Sequence, residues 1–277
     1  MIEPLDVPGL LRRYGLHPDK SLGQNFLVDP AALRRVVEAA GITGADTVLE
    51  IGTGLGSLTR CLAAQAHQVI SVEVDSRLIP ALKEVLAPYP NVKLVEGDIL
   101  SLDPATLVQA PGYLVVANIP YYITSALIRH LLEATPKPRR LVLTVQREVA
   151  ERICAIPGDM SLLALSVQVY GKPEMAAHIP AGAFYPVPQV DSAVIRVELY
   201  LQPLLPADRL KVFFRLTRAG FSQKRKTLRN ALAGGLAWPP IRVEAMLSAA
   251  GIDPKRRAET LSIEEWGKLV GQYNALK

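Results

Sequence analysis

Short runs of β-branched and other apolar residues recur through the first two-thirds of the chain. Each is followed by a stretch whose apolar positions fall three and four apart. Residues 47–51, 68–73, 92–96, 113–117 and 140–146 read as strands, and 57–66, 76–87 and 125–134 as helices between them. Strands alternating with helices predict a parallel, doubly wound, Rossmann-like α/β sheet. Residues 163–170 and 192–201 also read as strands. No good helix separates them, so they are expected as an antiparallel pair at one edge. After about Pro203 the period becomes helical over 208–219, 223–233, 241–250 and 262–272, with Gly and Pro between the segments. The expected organisation is an α/β domain over 1–203 and a small all-α domain over 204–277. No internal repeat is visible.

Composition narrows the class. The chain has 277 residues, 49% hydrophobic and 21% charged, the balance of a folded protein. Cys61 and Cys154 have no metal-ligand spacing, and the four histidines are dispersed, so no metal site is expected. The two cysteines are expected to be reduced. The first twenty residues lack the pattern of a secretory signal, and apolar runs stop well short of a membrane span, so a soluble cytoplasmic protein is expected. Charge is uneven. Residues 1–200 hold 17 Lys and Arg against 20 Asp and Glu, net −3; residues 201–277 hold 14 against 6, net +8. A basic C-terminal part suits a polyanion, although a solvated helical surface has the same composition.

Candidate chemistry lies at strand ends. Glu50-Ile51-Gly52-Thr53-Gly54-Leu55-Gly56 closes one strand and opens a helix. Glycines there let backbone turn tightly and approach a ligand, though such a turn also serves purely structural ends. It is not the dinucleotide fingerprint, because Ser57 stands where a glycine is needed, and no Gly-Lys-Ser/Thr follows. Glu73 ends the next strand, where a carboxylate can accept both hydroxyls of a ribose. Asp98 follows the third strand and can accept an adenine amino group, with Ile99 packing on the ring. Each acid alone is compatible with an ordinary turn. All three positions lie at the carboxyl edge where doubly wound sheets bind ligands. The combination resembles the class I methyltransferases that use S-adenosylmethionine, a cofactor without phosphate.

Asn118-Ile119-Pro120-Tyr121 follows the fourth strand at the same edge. It resembles the tetrapeptide of enzymes that methylate exocyclic amines of adenine or cytosine. The nitrogen lone pair of such an amine is delocalised into the ring. Two acceptors aimed at its hydrogens, the Asn118 side-chain oxygen and the Ile119 carbonyl, favour a pyramidal nitrogen. Pro120 stiffens the turn, and Tyr121 can stack on the base. Catalysis by this arrangement is positioning and electrostatics. A second aromatic loop, Phe184 to Ser192, is stiffened by Pro186 and Pro188. Phe184 can cover the other face of a flipped base, or serve as ordinary core.

Taken together the residues resemble the ribosomal RNA adenine dimethyltransferases over nearly the whole chain, and the bacterial small-subunit branch in particular. The match starts at Lys20-Ser21-Leu22-Gly23-Gln24-Asn25-Phe26-Leu27 and ends at 221–230, a basic segment typical of that branch. The resemblance implies dimethylation of two adjacent adenosines near the 3′ end of small-subunit rRNA, within an immature 30S particle, by a monomer. It implies a cofactor-covering segment over 1–28 and cofactor contacts from Gln24, Asn25, Leu27, Gly52, Gly54, Glu73, Val74, Asp98, Ile99 and Asn118. Arg215, Arg218, Lys224, Arg225, Lys226 and Arg229 of the helical domain are then expected to grip RNA phosphates. Thr53 stands where Pro is frequent, an exchange expected to matter little. Ser125-Ala126 and Leu162-Leu163 depart from the usual Thr-Pro and Tyr-Gly pairs. The alternatives are a macrolide-resistance type acting on large-subunit rRNA, and an assembly or transcription factor that keeps the fold without needing catalysis.

Overall fold

Near-continuous apolar runs form strands buried on both faces, the signature of a parallel sheet under helices. A computed structural model describes residues 3–109, 111–120, 123–223 and 225–275. Its strands are β1 (Phe26–Leu27), β2 (Thr47–Ile51), β3 (Gln68–Glu73), β4 (Val92–Glu96), β5 (Leu114–Asn118), β6 (Arg140–Gln146), β7 (Gly171–Ile179), β8 (Phe184–Tyr185) and β9 (Ser192–Leu199). Seven of them make one sheet in the order β4-β3-β2-β5-β6-β9-β7. Strands β4, β3, β2, β5 and β6 are parallel, and β9 runs antiparallel to β6. The strand order reverses between β2 and β5, which opens a crevice at their carboxyl ends. Val48, Val69, Leu114, Val116 and Val142 pack on one side with Val36 and Leu62 of the helices Pro30–Ala40 and Ser57–Ala63. Asp29 caps the first of these helices, accepting from the Ala32 N–H at 2.7 Å, with Pro30 at its start.

The chain divides into two compact units, 1–150 with 173–199, and 151–172 with 200–277. The expected division at 203 therefore needs a correction, because 151–172 belongs to the second unit. The segment read as a strand at 163–170 is a helix, Leu162–Gln168. An apolar run of that length suits either state by pattern alone. Here Ser161 accepts from the Ala164 N–H at 3.0 Å and starts a helix. Ala164, Leu165 and Val169 then enter the second core beside Phe213, Leu216 and Trp266.

The edge strand is instead β7, which contains Pro173 and two alanines and carries little β-propensity. The remaining helices of the second unit are Ala207–Gly220, Leu228–Leu236, Pro240–Ala249 and Ile263–Ala275. The second begins later than expected, at Leu228, so Arg225 and Lys226 lie in the preceding turn and not on a helix. No helix among the described residues is long and apolar enough to cross a membrane.

Candidate active site

The carboxyl ends of β2, β3 and β5 converge on a cleft within the first unit. It is lined by Gln24, Asn25, Gly52, Gly54, Glu73, Val74, Asn118, Ile119, Pro120 and Phe184, all expected from the sequence, and also by Leu22, Gly23 and Phe26. The glycine turn fits only without side chains. A Cβ on Gly52, at φ +79°, would meet the Asn118 carbonyl oxygen at 3.1 Å, and one on Gly54, at φ +60°, would meet the Phe26 ring at 2.9 Å. The turn is thus held between the end of β5 and the N-terminal segment.

Glu73 is 5% exposed and organises this turn. Its Oε2 accepts from the Gly54 N–H at 2.7 Å, and Oε1 accepts from the N–H groups of Val74 at 3.0 Å and Asp75 at 2.9 Å. Burial raises its pKa, against those three donors. Under the loop lies Glu50, fully buried and raised to about 7, first by desolvation. Ser71 Oγ donates to its Oε2 at 2.5 Å, and Ser71 Oγ and Thr53 Oγ1 are 2.7 Å apart. Thr53 is therefore no incidental replacement for proline, since its hydroxyl ties the turn to this buried relay. Glu50 and Thr53 were visible in the glycine motif, but Ser71 carried no signal of its own.

Asn118 ends β5. Its side-chain Nδ2 donates to the Asn25 carbonyl at 3.0 Å, which orients the amide so that Oδ1 is the atom offered to an incoming N–H. The Ile119 N–H donates to the Thr144 carbonyl at 3.2 Å, extending the β5–β6 ladder into the tetrapeptide. Tyr121 lies outside the described residues. Gln24 clamps the N-terminal segment to the sheet: Nε2 donates to Asp75 Oδ2 at 2.7 Å, and Oε1 accepts from the Asp19 N–H at 2.8 Å. Arg77 completes that clamp, donating to Asp75 and reaching Asp19 at 3.1 Å, and holds the Asp75 carboxyl below its ordinary pKa.

Three expected cofactor residues stand apart from the cleft lining. Leu27 packs in the core with Phe184. Ile99 is buried, and Asp98 stands exposed at the turn after β4, accepting from the Leu100 N–H at 2.9 Å. Phe184 does border the cleft, yet it is 3% exposed, so most of its ring already has packing partners.

The basic residues belong to the second unit. Arg215 and Arg218 are exposed on the helix Ala207–Gly220, and Lys211, which sequence reasoning passed over, is exposed on the same face at helical spacing. Arg225 and Lys226 are exposed in the following turn. Arg229 is paired with Glu244 at 3.0 Å. Lys224 lies outside the described residues.

The sequence profile described as ribosomal RNA adenine dimethylase matches residues 16–275. The chain is 48% identical over 265 residues to the ribosomal RNA small subunit methyltransferase A of Dehalococcoides mccartyi strain CBDB1, covering 95% of this chain and 91% of the relative. It is 45% identical to the protein of the same name from Moorella thermoacetica, covering 94% of each. Among solved structures, a dimethyladenosine transferase from Plasmodium falciparum aligns with TM-score 0.77 at 28% identity, covering 90% of this chain and 98% of that one. The 23S rRNA methyltransferase ErmE aligns with TM-score 0.74 at 32% identity, covering 90% and 100%.

Proposed function

The chain belongs to the ribosomal RNA adenine dimethylase family, and from that premise we propose that it transfers methyl groups from S-adenosylmethionine to the N6 amines of two adjacent adenosines near the 3′ end of small-subunit rRNA. The observation that carries the reading is the orientation of Asn118. Its Nδ2 is committed to Asn25, so Oδ1 is an acceptor held at the cleft where the amine must arrive. An acceptor there draws on an N–H of the adenine amine and localises the nitrogen lone pair, which is the charge redistribution the transfer needs. The Ile119 carbonyl is the second acceptor in this mechanism, and Pro120 keeps the turn stiff.

The cleft suits the cofactor. Glu73 offers a buried carboxylate to a ribose diol, Val74 an apolar wall, and the glycine turn a backbone that approaches without side-chain obstruction. The bound cofactor supplies an electrophilic methyl group on a sulfonium. The protein's part is to hold amine and methyl in line and to exclude water. As the N–CH3 bond forms, the S–CH3 bond would break with its electron pair going to sulfur, and the acidic methylated ammonium would then give its proton to solvent water without a strong base. Between small- and large-subunit rRNA, the relatives at 48% and 45% identity favour the former.

The test is methylation of immature small-subunit particles and of protein-free large-subunit rRNA, with mass spectrometry to locate the base and count its methyl groups. Dimethyladenosine pairs in the small-subunit RNA are expected. Activity confined to large-subunit RNA would reverse the substrate assignment.

A further inference from the structure

The rim of the cleft carries an aromatic side chain that the transfer step leaves unused. β8 is two residues long, so its side chains point to opposite sides. Phe184 turns inward beside Leu27. Tyr185 turns outward and is 39% exposed. The β1–β8 ladder sets Tyr185 directly opposite Phe26, so the two share one face with their Cβ atoms about 5 Å apart. Phe26 lines the cleft, with its ring against Gly54. The chain beyond Tyr185 continues uncharged, through the exposed Val187 at 65%, the exposed polar Gln189 and Val190 at 45%, with Pro186 and Pro188 between and no charged residue from Phe184 to Val190. The next residue, Asp191, is engaged, accepting from the Ala181 N–H at 2.9 Å and pairing with His178 at 2.9 Å. An uncharged, stiffened surface with a tyrosine at its head therefore continues outward from the cleft wall.

We infer that Tyr185 is a second nucleobase subsite: while one adenosine of the pair occupies the cleft, the base of the other stacks on the phenol ring. The inference rests on the reaction proposed above. Drawing an adenine out of its stack strips its neighbour of one stacked face. That neighbour is covalently tied to the adenine in the cleft and has to lie at its rim, where Tyr185 replaces the lost face. Stacking on an aromatic ring is sequence-tolerant, so the same subsite serves whichever adenosine is waiting.

The test uses the full-length protein, an adenosine-pair RNA within small-subunit particles, and Tyr185→Ala, Tyr185→Leu, Tyr185→Phe and Tyr185→Trp. The Ala and Leu variants are expected to raise KM for the RNA by about five- to 150-fold, the range of single base–aromatic stacks. Their kcat and cofactor affinity should stay unchanged, and Phe and Trp should restore KM. With an abasic residue in place of the second adenosine, wild type and Tyr185→Ala should converge in KM for methylation of the first. If wild type methylates the RNA and Tyr185→Ala keeps its KM, or if Leu restores it as well as Trp, the subsite is overturned and the proposed reaction stands. A protein-binding role for the strip would instead keep wild type and Tyr185→Ala apart in KM on the abasic substrate, and that result also overturns the subsite. If wild type methylates no adenosine, the proposed reaction itself is overturned.

Discussion

Glu50 is a carboxyl sealed beneath the cofactor turn, with one oxygen bonded to Ser71 and the other, Oε1, without a hydrogen bond among the described residues. Its pKa near 7, against an ordinary 4.5, means that the folded state holds a proton which the unfolded state releases earlier. Below about pH 4.5 both states are protonated and the group costs nothing. As pH rises toward 7 the unfolded state ionises first, and folding loses about 3 kcal/mol, a loss that persists above pH 7. Glu73 shifts in the same direction. Asp46, lowered to about 2 chiefly by the Arg139 hydrogen bond, acts oppositely, but its stability is lost only as pH falls below about 4. Glu50→Gln should therefore flatten the decline in denaturant stability between pH 5 and 8, as read from urea melts across that interval. An unchanged slope would mean that the carboxyl is ionised in the folded protein. At Asn118 the expectation is kinetic. Asn118→Ala should lower kcat about 100- to 1,000-fold, the usual effect of removing one preorganised polar partner, while calorimetric cofactor affinity changes little. Undiminished transfer would remove the acceptor mechanism.

The helix Ala207–Gly220 presents Lys211, Arg215 and Arg218 to solvent on one face. Arg215 is also held over the Tyr273 ring at 5.6 Å, so part of its side chain is positioned in advance. Arg215→Glu with Arg218→Glu should weaken binding to small-subunit particles and reduce the slope of log affinity against log salt by about 1 to 2. Equal slopes for variant and wild type would remove this face from the RNA contact. Elements of this kind were the most legible part of the sequence, because period and length agreed: β2, β3, β4 and β6 occupy the predicted residues. Leu162–Gln168 was not legible, since a short apolar run becomes helix or strand according to what it packs against. β7 was hidden by its weak propensity, which an edge strand tolerates. At the cleft, the glycine motif, Glu73 and Asn118 announced themselves by type and position. Phe26 was legible only as part of the motif at 20–27; Asp75 and Ser71 were not, because their roles come from contacts between distant parts of the chain: the bond to Gln24 and the relay to Glu50.

Each of the two compact units has its own core, and the functional residues divide between them. Every residue lining the cleft lies in the first, and the Lys211, Arg215 and Arg218 face lies in the second. Charge divides in the same sense, since residues 201–277 carry net +8 and residues 1–200 net −3. A ligand that binds only the native first unit stabilises it by about 2.7 kcal/mol at a hundredfold excess over Kd. Both tryptophans, Trp238 and Trp266, lie in the second unit, so their fluorescence reports its unfolding alone. Hydrogen exchange at β2, β3 and β5 reports the first. Saturating S-adenosylmethionine should therefore raise protection of those strands by about that amount while moving the tryptophan transition less. Equal shifts in both probes would show instead that the two cores unfold as one cooperative body. No increase at β2, β3 and β5 would place the cofactor elsewhere than the cleft.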